Sequence, residues 1–183
     1  MRLILGILSV LLVSTGLCAC ADTSLDLKEK LDVAMQGTFE APVDADGNAE
    51  PRFQTYVLTN IVLVDSDGVE TSLFTDTEPL ELKIVNRSQI IYEADLHDLV
   101  NKSYASARVS FQSTVLGGGK YGDAMSVELI DPDLDIPDAL TVETATNYRM
   151  NVQVQWKNTV TRDDDAGTET MTAPSFALDL GKG

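Results

Sequence analysis

Cysteine is nearly missing from this chain, and the two it has, Cys18 and Cys20, fall within its first twenty residues. The body of the protein therefore cannot form an internal disulfide, and its fold must hold by core burial alone. Histidine is as scarce, with His97 the sole one. Nucleophilic triads and most zinc sites need histidine with oriented partners, so a solitary His97 in an acidic stretch reads as a surface or end-cap residue. Positive charge is short too: 13 Lys and Arg stand against 29 Asp and Glu, for a net charge of −16. Such a chain meets nucleic acid and anionic membrane surfaces with repulsion. Its acidity suits solubility in a saline medium, or the binding of cations or a basic partner. No Gly-x-Ser-x-Gly elbow, fixed-period repeat or low-complexity tract occurs. Gly117-Gly118-Gly119-Lys120 lacks the spaced first glycine and the following Ser or Thr of a phosphate loop, and reads as a hairpin turn.

What is present begins with an export signal. Met1-Arg2 supplies one positive charge, Leu3 to Val13 is apolar apart from Gly6 and Ser9, and Ser14, Thr15 and Gly16 precede Leu17-Cys18-Ala19-Cys20. That order is a lipobox, a secretory signal ending in a lipid-modified cysteine. Cleavage before Cys20 makes its thiol the first residue. A thioether-linked diacylglycerol there, with an acyl chain on the amine, gives the two or more chains that stable anchoring needs. Two alternatives stay open. No charge falls between Leu3 and Ala21, which permits an uncleaved anchor, although the second half of the segment is weakly apolar. Lipidation at Cys18 is the other, with bulky Leu17 beside the scissile bond arguing against it. Under each, Arg2 stays cytoplasmic and Asp22 onward is exported. The expected organisation is a helical signal peptide over 1–19, a lipidated tether over 20–30 and one domain over 31–183.

Within that domain the periodicity is that of strands. Leu31 to Phe39 alternates, with Leu31, Val33, Met35, Gly37 and Phe39 on one side. Ala41 to Arg52 reads as a loop. Phe53 to Val64 is rich in β-branched and aromatic residues, and Asp65-Ser66-Asp67-Gly68 then predicts a hairpin with Val69 to Phe74. Further strands are expected at Leu80–Val85, Ser88–Tyr92, Tyr104–Leu116 and Met125–Ile130. Leu96, Leu99 and Val100 share a helical face, which predicts a short helix from Ala94 to Val100. Asp131 to Pro137 is proline-punctuated and cannot be a central strand. Leu140 to Glu143 is short and extended, Tyr148 to Trp156 alternates cleanly, Arg162 to Gly167 is a charged loop, and Thr168 to Leu180 is a last strand bent at Pro174. Eight to ten short strands with one small helix predict an all-β fold, an antiparallel β-sandwich.

The strand at Tyr56 to Val64 with its Asp-Gly turn, the Tyr-x-x-x-Arg strand at Tyr104 to Arg108, Ile136-Pro137 before Leu140-Thr141-Val142, and Ala173-Pro174-Ser175-Phe176 near the end occur in a telling order. In these features the chain resembles a family of bacterial lipoproteins of unknown function with a transthyretin-like, or prealbumin-like, β-sandwich. The resemblance implies a fold and an address, and no activity.

Calcium is the main chemical alternative. Asp44-Ala45-Asp46-Gly47-Asn48-Ala49-Glu50 places oxygens at alternate positions around a glycine bend, and Asp131, Asp133, Asp135 and Asp163 to Asp165 could join it if the loops converge. The competing explanation is that Asp and Asn there bond locally in turns. A glycosidase-like hydrolase would need two carboxylates at a set separation, and the sequence marks no such pair. The expectation is thus a non-catalytic binding or structural module of the cell envelope. Its one site residue is Cys20, for lipidation; no catalytic residue, metal ligand or cofactor is assigned. Its partners are the membrane through Cys20 and an envelope protein or glycan, not nucleic acid.

Overall fold

The computed structural model describes residues 29–38, 48–49, 51–119, 124–156 and 159–183. The expected lipobox with Cys20, the expected tether as far as Lys28, Phe39 and most of the Asp44–Glu50 loop lie outside the described residues. Among the described residues the chain is nearly all β, in several sheets, none closed. It begins with β1 (Lys30–Thr38), β2 (Asn48–Ala49), β3 (Phe53–Val64), β4 (Glu70–Ser72), β5 (Leu80–Ile84) and β6 (Gln89–Asp95). After a single 3-10 turn at His97–Leu99 come β7 (Ser103–Tyr104), β8 (Ser106–Phe111), β9 (Thr114–Gly118), β10 (Ala124–Glu128), β11 (Asp133–Ile136) and β12 (Leu140–Thr141). The last four are β13 (Asn147–Gln155), β14 (Val160–Asp163), β15 (Thr168–Met171) and β16 (Ser175–Lys182).

Two large sheets carry the core. The first runs β16-β13-β1-β6, and the second β10-β9-β3-β8-β11 with β4 and β5 on the remaining edge of β3. Twelve residues make β3 long enough to hold two partners in succession on each edge: β9 then β8 on one, β5 then β4 on the other. The alternation of apolar residues decides which faces meet. Leu31, Met35, Tyr148, Met150 and Val152 of the first sheet and Tyr56, Leu58, Ile61, Val109 and Phe111 of the second fall in one buried cluster. The Tyr56 ring meets Phe176 of β16 edge-on at 6.2 Å, a contact between the two sheets.

Several strands occupy the expected ranges, and β3 does so from Phe53 to Val64. The departures have local causes. The antiparallel expectation fails at the centre of the first sheet, where β1 and β13 run parallel from Lys30↔Asn147 to Thr38↔Gln155. The helix expected over Ala94–Val100 is displaced by β6, which continues to Asp95 beside Lys30, so only His97–Leu99 coils. Gly117 and Gly118 are not a turn; they lie in β9, where a Cβ would strike Met171 and Phe53 side chains. Asp133–Ile136, read as a connection, is an edge strand paired with β8. Arg162 is not in a loop: it sits in β14 and donates to Glu169 Oε1 at 2.7 Å, with only 11% and 2% of the two side chains exposed. The expected last strand is two strands of different sheets, β15 and β16, because Pro174 cannot continue a ladder.

Candidate functional site

The two flanks of the paired sheets differ. Between β4 and β6 a groove of about 350 Å³ is spanned by one side chain: Tyr92 Oη accepts the Thr75 N–H at 2.9 Å, donates to the Leu73 carbonyl at 3.3 Å, and its ring packs on Phe74 at 5.2 Å. Between β11 and β16 the flank is open. A groove of about 520 Å³ lies there, with Leu129, Ile130 and Leu134 on one side and Pro174, Phe176 and Leu178 on the other. Ile130 is 97% exposed and adds its whole side chain to the groove wall. Asp131, Asp133 and Asp135 also line the groove, and among the described residues no Lys or Arg does.

The edge of β16 gives this groove its chemistry. In an antiparallel ladder alternate residues turn their N–H and C=O toward the partner, and those between turn them away. The Gly183 N–H donates to Asn147 O at 3.0 Å, which places the odd-numbered residues of β16 against β13. Phe176, Leu178 and Leu180 therefore direct their backbone groups outward while their side chains pack on the core. Leu180 N–H is capped by Asp138 Oδ2 at 3.1 Å. Among the described residues no partner meets the N–H groups of Phe176 and Leu178. The facing edge is less receptive, because Asp131 Oδ1 accepts the Asp133 N–H at 3.2 Å.

At the opposite end of the first sheet stands Glu29, where the described residues begin. Glu29 is buried, its carbonyl accepting the Leu96 N–H at 2.8 Å and its carboxylate the Ala145 N–H at 2.8 Å, with His97 Nδ1 at 3.2 Å. The Ala145 N–H first, then Glu29's own N–H and the His97 ring, pull the carboxyl down to about 2. The same contact raises the pKa of His97. His97 itself is 76% exposed, as an end-cap residue would be. Nothing in the local sequence marked Glu29, whose partner Ala145 lies 116 residues away.

A third arrangement lies wholly inside. Gln54 is fully buried; its Oε1 accepts both the Tyr56 hydroxyl at 2.5 Å and Trp156 Nε1 at 2.8 Å, and its Nε2 meets Met171 Sδ at 3.3 Å. Burial pushes the Tyr56 phenol well above its ordinary range, so it stays neutral and donates. This network ties β3 to the end of β13 and to β15. It is structural, since none of its polar atoms reaches the surface.

The acidic stretches separate on the structure. Asp163 Oδ1 accepts the N–H groups of Asp165 and Ala166 at 3.0 and 2.9 Å, a local turn bond. Asp135 instead pairs with Arg108 Nε at 2.7 Å, and Arg108 also reaches Glu70 at 2.8 Å. Among the described residues no three His, Cys, Asp or Glu side chains come together as cation ligands. Comparison with known proteins found no family model, no curated protein and no solved structure that matches this chain.

Proposed function

We propose that this chain is an exported lipoprotein, anchored in a membrane of the cell envelope through lipid on Cys20, whose β-sandwich is a non-catalytic binding or structural module. The transthyretin-like resemblance belongs to the same proposal. The observation that carries it is the placement of the two ends. The tether root at Glu29–Lys30 lies beside Asn147 and Lys182, whereas the open groove lies by Phe176, six residues back along β16. At about 3.3 Å per residue that is roughly 20 Å further from the anchor. Eight residues separate Cys20 from Glu29, so the domain can stand off its lipid by at most about 30 Å. A module held this way presents its groove away from the bilayer, toward partners.

Fractionation of cells expressing the full chain tests the anchor. Wild type and Cys18→Ser should sediment with membranes and need detergent for release, while Cys20→Ser should lose that retention. Retention unchanged in Cys20→Ser would overturn the proposal.

A calcium-dependent adhesion or assembly domain is a second reading, favoured by one observation. β2 pairs with β14, Asn48 opposite Thr161, which sets the end of the Asp44–Glu50 stretch beside the strand that leads to Asp163.

A further inference from the structure

We propose that the free edge of β16 adds a strand from another protein, an extended segment whose side chains alternate apolar and basic. This rests on the binding-module reading and names the partner's chemistry.

An exposed strand edge with unmet N–H and C=O groups is a template for strand addition, and proteins ordinarily blunt such edges with charge, proline or a cover. Around this groove two outward donors are already met, and among the described residues one stretch of β16 keeps its own unmet. Asp131 occupies the Asp133 N–H on β11, and Asp138 occupies the Leu180 N–H on β16. Among the described residues the run from Ser175 to Asp179 remains open, with Phe176 and Leu178 presenting backbone outward above an apolar floor.

Charge selects the occupant. Asp131 and Asp133 rim one side, Asp135 beside them is paired with Arg108, and among the described residues no basic side chain lines the groove. A second copy of this chain, at net charge −16, is repelled from such a rim. The same holds for this chain's own Ala21–Lys28, which carries two aspartates against one lysine and joins the domain at the opposite end. A strand with lysine or arginine at every second position satisfies the rim, and apolar residues between them cover Ile130, Leu134 and Phe176.

The test uses the full chain purified in detergent and a fluorescent seven-residue peptide of alternating lysine and valine. Saturable binding is expected, roughly tenfold weaker in about 1 M salt, where charges are screened within about 3 Å. A glutamate-valine peptide should not bind, nor should the lysine-valine peptide with alternate amides N-methylated on its pairing edge. Ile130→Lys, at an exposed position that the fold does not need, should weaken binding at least tenfold. Leu178→Pro should abolish it, because proline removes an outward N–H that makes no bond to β13; an unchanged unfolding midpoint certifies its fold. No binding up to about 1 mM, equal binding of the N-methylated peptide, or indifference to Ile130→Lys would each refute strand addition. A chain that ignores the peptide yet keeps its Cys20-dependent membrane retention refutes strand addition alone. Loss of that dependence with binding intact refutes the anchor alone.

Discussion

Replacing Gln54 by leucine should destabilise this protein far more than a polar-to-apolar change in a β-strand normally does. Gln54 Oε1 is the acceptor for two buried donors, the Tyr56 hydroxyl and Trp156 Nε1. Leucine fills similar space and accepts nothing, so both donors are orphaned where water cannot reach them. Each buried unsatisfied group costs about 1–3 kcal/mol, for about 2–6 kcal/mol together, partly offset by leucine's own apolar burial. Against a total stability of about 5–15 kcal/mol that is a large share, and at about 2–4 °C per kcal/mol it lowers Tm by roughly 5–20 °C. Urea unfolding followed by tryptophan fluorescence is the suitable assay, because Trp156 is the chain's sole tryptophan and sits in the network. The second mutant makes the test specific. Adding Tyr56→Phe to Gln54→Leu removes one orphan, so the double variant should be more stable than Gln54→Leu alone, a non-additive cycle. Gln54→Leu within about 0.5 kcal/mol of wild type, the scale of an ordinary surface change, would refute the reasoning; so would strict additivity.

Gly37→Ala should cost about 1–3 kcal/mol by overpacking, since a Cβ there would stand 2.3 Å from the Trp156 ring; an unchanged urea midpoint would count against that contact. His97 should titrate above 6.5 by NMR and return toward 6.5 in Glu29→Gln. The linkage has two limits: the raised His97 contributes stability below pH 6.5 that is lost as pH rises through its folded value. The lowered Glu29 contributes above pH 4.5 what is lost as pH falls toward 2. The stability difference between wild type and His97→Ala should therefore be greatest between these limits, and a difference growing above pH 8 would contradict the assignment. Melting in EDTA and in millimolar calcium should agree once ionic strength is matched. A stabilisation near 2.7 kcal/mol at about 100 times the dissociation constant, lost in Asp44→Asn with Asp46→Asn, would instead favour the calcium reading.

What the sequence revealed was local. β1, β3 and β13 alternate strongly enough for their faces to be read directly, and Asp65-Ser66-Asp67-Gly68 turns as expected, with Gly68 at φ +79°. Pairing was hidden, because β1 and β13 meet in parallel across more than a hundred residues that carry no local sign of it. Gln54 illustrates a second blindness: alternation places it on the core face, yet only Tyr56 and distant Trp156 make a buried amide tolerable there. The triple glycine looked like a turn since its reason, close approach by Met171 and Phe53, is tertiary. The groove was illegible for the same cause: Ile130 lies in the link between β10 and β11 and Phe176 in β16, and neither neighbourhood suggests the other. Cys20 rests wholly on the pattern of the first twenty residues.

The most direct test of the central claim is the mass of the N-terminal peptide of the chain purified from membranes. The account predicts a peptide beginning at Cys20, carrying a diacylglyceryl group and an amide-linked acyl chain. A peptide beginning at Met1, or an unmodified one beginning elsewhere, would contradict it.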